Sequence, residues 1–201
     1  MNSIPKQILF FIDLSTPSSN KRRSTIDACN QEIEQLKKSH PKSQISIFQF
    51  DGKQLQCTSY SVGINDQTTL FFRETDAVTG PVLDAIGACI GTWRAFANDP
   101  IIRSYVSLFI FSSIKDNGSV KYSVCSLHAL FQSLKKENWN IQLHSMNPLA
   151  PQIATKLEVS LASHQRRVPP QNQFLLAQLK RQWMSQQKNN GNGRSLMEYA
   201  A

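Results

Sequence analysis

The sequence lacks the short motifs that mark most classes of enzyme. It contains no GxSxG, no GxxxxGKS or GxxxxGKT and no GxGxxG segment, so neither a nucleophile elbow nor a phosphate-binding loop is predicted. Catalysis by a side-chain nucleophile needs an oriented base beside it. The four histidines are instead scattered along the chain: His40, His128, His144 and His164. We therefore predict a protein without enzymatic activity.

Cysteine is also scarce, with four residues spaced roughly thirty positions apart. They are Cys29, Cys57, Cys89 and Cys125. No CxxC pair occurs, and this spacing is typical neither of a zinc site nor of a disulfide framework. We expect buried free thiols and a reducing compartment, most simply the cytoplasm.

Long apolar runs are missing as well. No segment approaches the ~20 consecutive apolar residues of a membrane-spanning helix, and residues 1–7 do not resemble the start of a signal peptide. We expect a soluble protein with no membrane partner. At 201 residues, the chain can form one large domain or one domain with an extension.

Acidic residues are depleted in the last third of the chain. The net charge is +8, and from Lys135 onward nine Lys and Arg stand against three acids, whereas the counts before Lys135 are thirteen and eleven. Such an excess indicates an acidic partner, nucleic acid or an anionic surface, or simply a solvated basic face.

The apolar residues that are present predict alternating strands and helices. The predicted strands are Gln7–Asp13, Gln44–Phe50, Gln54–Ser61, Thr68–Phe72, Tyr105–Ser112, Asn140–Met146 and Leu157–Leu161. The predicted helices are Lys21–Ser39, a segment within Asp76–Asp99 with Pro81 in its first turn, Tyr122–Glu137 and Pro148–Thr155. This order predicts an α/β fold with three layers and a Rossmann-like character. Its central sheet is expected to be mostly parallel, with one antiparallel edge strand and helices on both faces.

The apolar stripes of the helices also predict individual burial. Cys89, Trp93, Phe96 and Cys125 fall on apolar helical faces, and we expect them in the core. Asp84 lies in the first turn of its helix, where a carboxylate favours the helix dipole, so we expect no chemical role for it.

The composition changes after the predicted sheet domain, which we assign to residues 1–165. Residues 166–188 are expected to form a Pro-containing linker and an amphipathic basic helix, Gln173–Lys188, that packs either on its own domain or on a partner. Residues 189–201 are expected to be a flexible tail, and the last seven residues could serve as a docking peptide.

Three segments, in order, carry a resemblance to a known family: Phe10–Ser15, Thr79–Gly87 and Leu108–Ser119. The first is similar to a strand that ends in Asp-x-Ser-x-Ser. The second is similar to Gly-Thr-x-Leu-x-Asp-Ala-Ile, and the third to a strand followed by Thr-Asp-Gly-x-Asp-Asn-x-Ser. Over Lys6 to Leu161 the chain thus resembles the von Willebrand factor A-like (vWA) fold, which the resemblance implies for this protein.

In many vWA domains these three loops bind Mg²⁺ through hydroxyl and carboxylate oxygens. Carried over residue by residue, the resemblance implies five candidate ligands: Asp13, Ser15, Thr79, Ser113 and Asp116. The sequence departs from the family pattern at three positions. Pro17 takes the place of a hydroxyl, Gly80 that of the second-loop threonine, and Ser113 that of an aspartate. The metal site is therefore either intact, degenerate, or rebuilt with Thr79, Ser18 or Asp116. The protein accordingly binds either no cofactor or Mg²⁺.

Our leading hypothesis from the sequence is a non-enzymatic vWA-like module that binds proteins inside an intracellular assembly. One alternative is a Mg²⁺-dependent ligand-binding domain. Another is a nucleic-acid-binding protein that uses its basic C-terminal third. The candidate partner-binding residues are Arg166, Arg167, Lys180, Arg181 and Trp183.

Overall fold

The computed structural model describes residues 6–71, 77–97, 99–115, 118–145 and 147–162. The strands are β1 (Gln7–Asp13), β2 (Gln44–Phe50), β3 (Leu55–Gly63), β4 (Val106–Phe111), β5 (Asn140–His144) and β6 (Ser160–Ala162). The helices are α1 (Ser19–Ser39), α2 (Val82–Phe96), α3 (Pro100–Arg103), α4 (Val124–Lys136) and α5 (Ala150–Leu157). The helices and strands alternate along the chain much as the sequence predicts.

The six strands form one sheet in the order β3-β2-β1-β4-β5-β6. Only β3 runs antiparallel to its neighbour, β2, and it lies at one edge. β1 is central, and all seven of its residues are buried. Its continuous apolar run suits a strand that is covered on both faces of the sheet. The predicted mostly parallel sheet with one antiparallel edge strand is confirmed.

Apolar cores lie on both faces of the sheet, as expected for a three-layer fold. On one face, α1 packs its buried stripe of Ile26, Cys29, Ile33 and Leu36 against the sheet. On the other face, α2, α4 and α5 cover a larger core in which the Trp93 and Trp139 rings meet edge to face, 5.4 Å apart. β1 contributes alternate side chains to both cores, so it holds the two halves together.

One predicted strand is wrong. In the described part of Thr68–Phe72, up to Phe71, the chain has no strand. Leu70 instead bonds to the side chain of Asn30 on α1: the Leu70 N–H donates to Asn30 Oδ1 at 2.8 Å, and Asn30 Nδ2 donates to the Leu70 carbonyl at 2.9 Å. These two bonds occupy the Leu70 backbone groups that a neighbouring strand would use.

The second long helix lies within the predicted segment, but Pro81 precedes its first turn. α2 begins after Pro81, which lies at its N-cap, and ends at Phe96, and the short helix α3, which the sequence did not predict, follows at Pro100. Trp93 is buried as expected, but Phe96 is 53% exposed. Its ring meets that of Tyr60 on β3 edge to face, with the ring centroids 5.3 Å apart.

The cysteines divide into two pairs. Cys29 and Cys89 are buried free thiols, as predicted, whereas Cys57 and Cys125 are exposed free thiols. Cys57 lies on the edge strand β3, and Cys125 in the first turn of α4, so neither is covered by a second layer. No helix within the described ranges is long and apolar enough to cross a membrane.

Candidate functional site

The site lies at the carboxyl ends of the central parallel strands β1 and β4, which end side by side. Ile12 lies opposite Phe111 in their register, so the residues that follow, Asp13 and Ser112, come together. The Ser112 N–H also donates to the His144 carbonyl at the end of β5, at 3.1 Å. Open α/β sheets place their ligand sites at these strand ends.

The Asp13 carboxylate is 8% exposed and is surrounded by donors of its own chain. Its Oδ1 accepts hydrogen bonds from the Ser15 N–H at 2.9 Å and from Ser15 Oγ at 2.5 Å. Its Oδ2 accepts one from Ser112 Oγ at 2.5 Å. An aspartate that bonds the backbone two residues on folds the loop after a strand. Both carboxylate oxygens therefore accept hydrogen bonds from the loops of the same chain.

A buried arginine supports the first loop. Arg22 of α1 is 4% exposed, and its Nη1 donates to the Thr16 carbonyl at 2.6 Å while its Nη2 donates to Ser19 Oγ at 3.3 Å. Ser18 caps α1 by accepting from the Lys21 N–H at 3.4 Å. The sequence analysis missed Arg22. It lies four residues, about one helical turn, before Ile26 on the buried stripe, and this spacing is the signal that could have found it.

At the third loop, the hydroxyl beside Asp13 belongs to Ser112 rather than to Ser113. The Ser113 side chain is exposed, and its backbone carbonyl accepts from Asn147 Nδ2 at 2.7 Å. Successive side chains of a strand point to opposite sides, so a shift of one residue decides which serine meets Asp13.

The second loop approaches the turn between β2 and β3 through its backbone. The Val78 N–H donates to the Asp51 carbonyl at 3.2 Å. A Cβ on Gly80 would lie 2.2 Å from the Gly52 carbonyl oxygen, and Gly52 itself has a φ of +100°. Both glycines are needed for this close contact. Thr79 is exposed, so the loop presents it to solvent from a fixed backbone.

Asp84 joins this second loop to the loop before α4. Its carboxylate accepts N–H bonds from Val120 at 2.9 Å, Lys121 at 2.9 Å and Tyr122 at 2.7 Å. Its own N–H donates to Ser119 Oγ at 3.1 Å. These backbone donors, that of Val120 first, hold the pKa of the Asp84 carboxyl below its usual value. Asp84 thus connects two loops, a role that its position in the helix did not reveal.

Three of the four thiols have a raised pKa, which makes them poor nucleophiles. Burial raises the pKa of the Cys29 and Cys89 thiols well above the usual value, and burial also raises the pKa of Cys57 on the edge strand. A thiol with a raised pKa stays protonated at neutral pH, and the thiolate is the reactive form.

The described donors do not form a set suited to Mg²⁺. Asp13 supplies one carboxylate, Ser15 and Ser112 supply neutral hydroxyls that already donate to it, and Pro17 has no side-chain donor. Mg²⁺ loses its water reluctantly, and carboxylates usually provide the charge that holds it. Within the described ranges, no group of three or more His, Cys, Asp or Glu side chains is placed to hold a metal ion.

Several predicted site residues lie outside the described residues, and their roles stay predictions. They are the metal-ligand candidate Asp116 and the partner-binding candidates Arg166, Arg167, Lys180, Arg181 and Trp183. The predicted linker, C-terminal helix and tail lie outside them as well.

Comparison with solved structures identifies the fold. The chain is similar to the VWA domain of SpRpn10, with a TM-score of 0.50, 12% identity, and coverage of 80% of this chain and 88% of that one. A second similar structure is the N-terminal domain of TFIIH p34, with a TM-score of 0.48, 12% identity, and coverage of 81% and 92%. No protein-family model and no curated protein matches the chain. At this identity the likeness shows the fold alone, and the fold is vWA-like.

Proposed function

We propose that this protein is a non-enzymatic vWA-like interaction module that binds a protein partner within a cytoplasmic assembly. The observation that carries the proposal is the character of the loops at the carboxyl ends of the strands. Three of them expose an apolar side chain to solvent: Val78 at 40%, Val120 at 90% and Leu149 at 54%. All three lie at the carboxyl ends of strands, the end of an open α/β sheet at which binding sites lie.

The backbone around these side chains is held firmly. The Val78 N–H donates to the Asp51 carbonyl, and the Val120 N–H donates to the Asp84 carboxylate. Leu149 donates its N–H to Asn147 Oδ1 at 3.0 Å. A preorganised loop loses little conformational entropy when a partner binds, so such loops favour association.

The architecture and the chemistry of the site support the same proposal. The vWA-like fold positions a strand-end surface, and the carboxylate at its centre accepts hydrogen bonds from the hydroxyls of the loops that it joins. The basic C-terminal residues Arg166, Arg167, Lys180 and Arg181, together with Trp183, are proposed as a second contact with the same partner or with nucleic acid.

Affinity capture from the source lysate tests the proposal. The baits are the full chain, a chain that ends at Gln165, and a triple variant in which Val78, Val120 and Leu149 are replaced by Ser. We expect the full chain to capture a defined partner. The triple variant should bind this partner with at least ~10-fold lower affinity, since each lost 1.4 kcal/mol of binding free energy is tenfold in affinity.

The matched control is Tyr105→Ser. Tyr105 is 67% exposed, but it lies at the amino end of β4, away from the carboxyl ends of the strands. Its replacement should therefore leave capture unchanged. If the full chain captures no stable partner, or if Tyr105→Ser and the triple variant behave alike, the proposal is wrong. Loss of the partner from the chain ending at Gln165 would assign part of the contact to the C-terminal segment.

A further inference from the structure

We infer that the strand-end site of this vWA-like domain is closed by a hydrogen-bonded junction and takes up no divalent cation. The junction consists of Asp13, Ser15, Ser112 and the backbone N–H of Ile114. The junction joins the loops after β1 and β4, which a bound metal ion would otherwise join. The inference stands apart from the proposed function, because its test does not depend on any partner.

The first step is that donors of the same chain bond to both oxygens of the Asp13 carboxylate. Asp13 Oδ1 accepts two hydrogen bonds from Ser15, at 2.9 and 2.5 Å, and Oδ2 accepts one from Ser112, at 2.5 Å. Asp13 ends β1, Ser15 lies in the loop after it, and Ser112 lies in the loop after β4, so the carboxylate links the two loops. Hydrogen bonds to a charged acceptor are about twice as strong as those between neutral groups.

The second step is that the junction continues into the backbone of the third loop. Ser112 Oγ donates to Asp13 and accepts from the Ile114 N–H at 2.8 Å. Ile114 is buried and has a φ of +43°, a left-handed conformation that a β-branched residue rarely adopts. Surrounding contacts must hold such a residue in place, and the bond to Ser112 is one of them.

The third step concerns charge. A divalent ion needs several charged or strongly polar oxygens to replace its water, whereas the junction contains one carboxylate. Both hydroxyls donate to this carboxylate, so a metal ion that bound the Asp13 oxygens directly would compete with the short bonds that join the loops. The exposed Ser113 side chain would add only a neutral hydroxyl. Asp116 lies outside the described residues, and the experiment therefore includes it.

The experiment measures thermal unfolding of the full chain in EDTA, in Mg²⁺ and in Mn²⁺, each at the same ionic strength, with calorimetric titration of Mn²⁺ alongside. The variants are Asp13→Asn, Ser112→Ala and Asp116→Asn. Ser113→Ala is the matched control, since it removes the neighbouring hydroxyl by the same substitution. We expect no ion-dependent change in Tm and no heat of Mn²⁺ binding for the wild type or any variant.

We also expect Ser112→Ala to lower Tm by about 2–6 °C, because it leaves the Ile114 N–H and one Asp13 oxygen without this hydroxyl. Ser113→Ala should leave Tm within about 1 °C of the wild type. A saturable rise of Tm with Mg²⁺ or Mn²⁺ that Asp13→Asn or Asp116→Asn abolishes would overturn the inference. Equal effects of Ser112→Ala and Ser113→Ala would overturn it too, and this pair decides the matter even if Asp13→Asn does not fold.

Discussion

Asp84 illustrates at the scale of one residue how a carboxylate at a helix start can hold a distant loop. It accepts N–H bonds from Val120, Lys121 and Tyr122, which lie 36 to 38 residues further along the chain. These donors favour the ionised form, so the pKa of the Asp84 carboxyl in the folded protein is below its usual value of 3.8. Protons therefore bind this group more tightly in the unfolded chain than in the folded one.

This difference predicts a dependence of stability on acid. A lowered pKa in the folded state contributes stability that is fully present above the unfolded value and is lost as the pH falls through the folded value. We expect Asp84→Asn to be less stable than the wild type at pH 7, with a gap that narrows below about pH 4. Thermal unfolding of both proteins between pH 7 and pH 3 measures the gap.

Asp27→Asn serves as the comparison, because Asp27 is an exposed carboxylate on α1 and its replacement removes the same charge. It should unfold close to the wild-type temperature at neutral pH. A gap between the wild type and Asp84→Asn that stayed constant down to pH 3 would show that the Asp84 carboxylate does not supply the acid-sensitive stability.

At the scale of the element, α2 contains two glycines with opposite surroundings. A Cβ on Gly87 would lie 2.3 Å from Cε2 of the Tyr122 ring, whereas a Cβ on Gly91 would meet nothing within 4 Å. In a helix interior, alanine is more favourable than glycine by up to ~1 kcal/mol. The helical gain is the same at both positions, so any difference between the two alanine variants reports the Tyr122 contact.

We predict that Gly91→Ala raises the free energy of unfolding by about 0.5–1 kcal/mol, while Gly87→Ala lowers it by about 1–2 kcal/mol, because overpacking outweighs the helical gain. Urea unfolding followed by circular dichroism measures both. Tyr122→Leu in the Gly87→Ala background should recover part of the loss. A Gly87→Ala protein as stable as Gly91→Ala would mean that the ring moves aside at no cost.

At the scale of the whole molecule, the sheet separates two apolar cores but unites them through β1. Ile33 of α1 lies in one core and Ile86 of α2 in the other, and both are buried. Trp93 and Trp139 both belong to the core that contains Ile86. Tryptophan fluorescence from these two residues therefore reports one face, while circular dichroism reports the whole domain.

We predict that Ile33→Ala and Ile86→Ala each destabilise the domain by about 2–5 kcal/mol, and that fluorescence and circular dichroism give the same urea midpoint for each variant. The background should carry Trp183→Phe, so that only Trp93 and Trp139 emit. If Ile33→Ala lowered the midpoint by circular dichroism but left the fluorescence midpoint unchanged, the two faces would unfold separately.

The sequence by itself determined the order of strands and helices, the antiparallel edge and the strand end at Asp13, because apolar periodicity is a local property. Its errors fall where distant contacts decide the outcome. The chain from Thr68 to Phe71 is not a strand, and the Leu70 backbone bonds to the Asn30 side chain instead. Phe96, the last residue of α2, is exposed beside Tyr60 of the edge strand. No local pattern records either fact.

The candidate site required the tertiary structure. Motif matching locates a loop, but only the pairing of Ile12 with Phe111 shows that Ser112, and not Ser113, meets Asp13. The same is true of the Gly80 contact with Gly52, which depends on two backbones that are remote in sequence. Hydrogen bonds are directional and short, so a displacement of one residue changes which groups bond. The chain thus specifies its vWA-like fold locally, whereas the bonds that close its strand-end site arise only when the strands are in register.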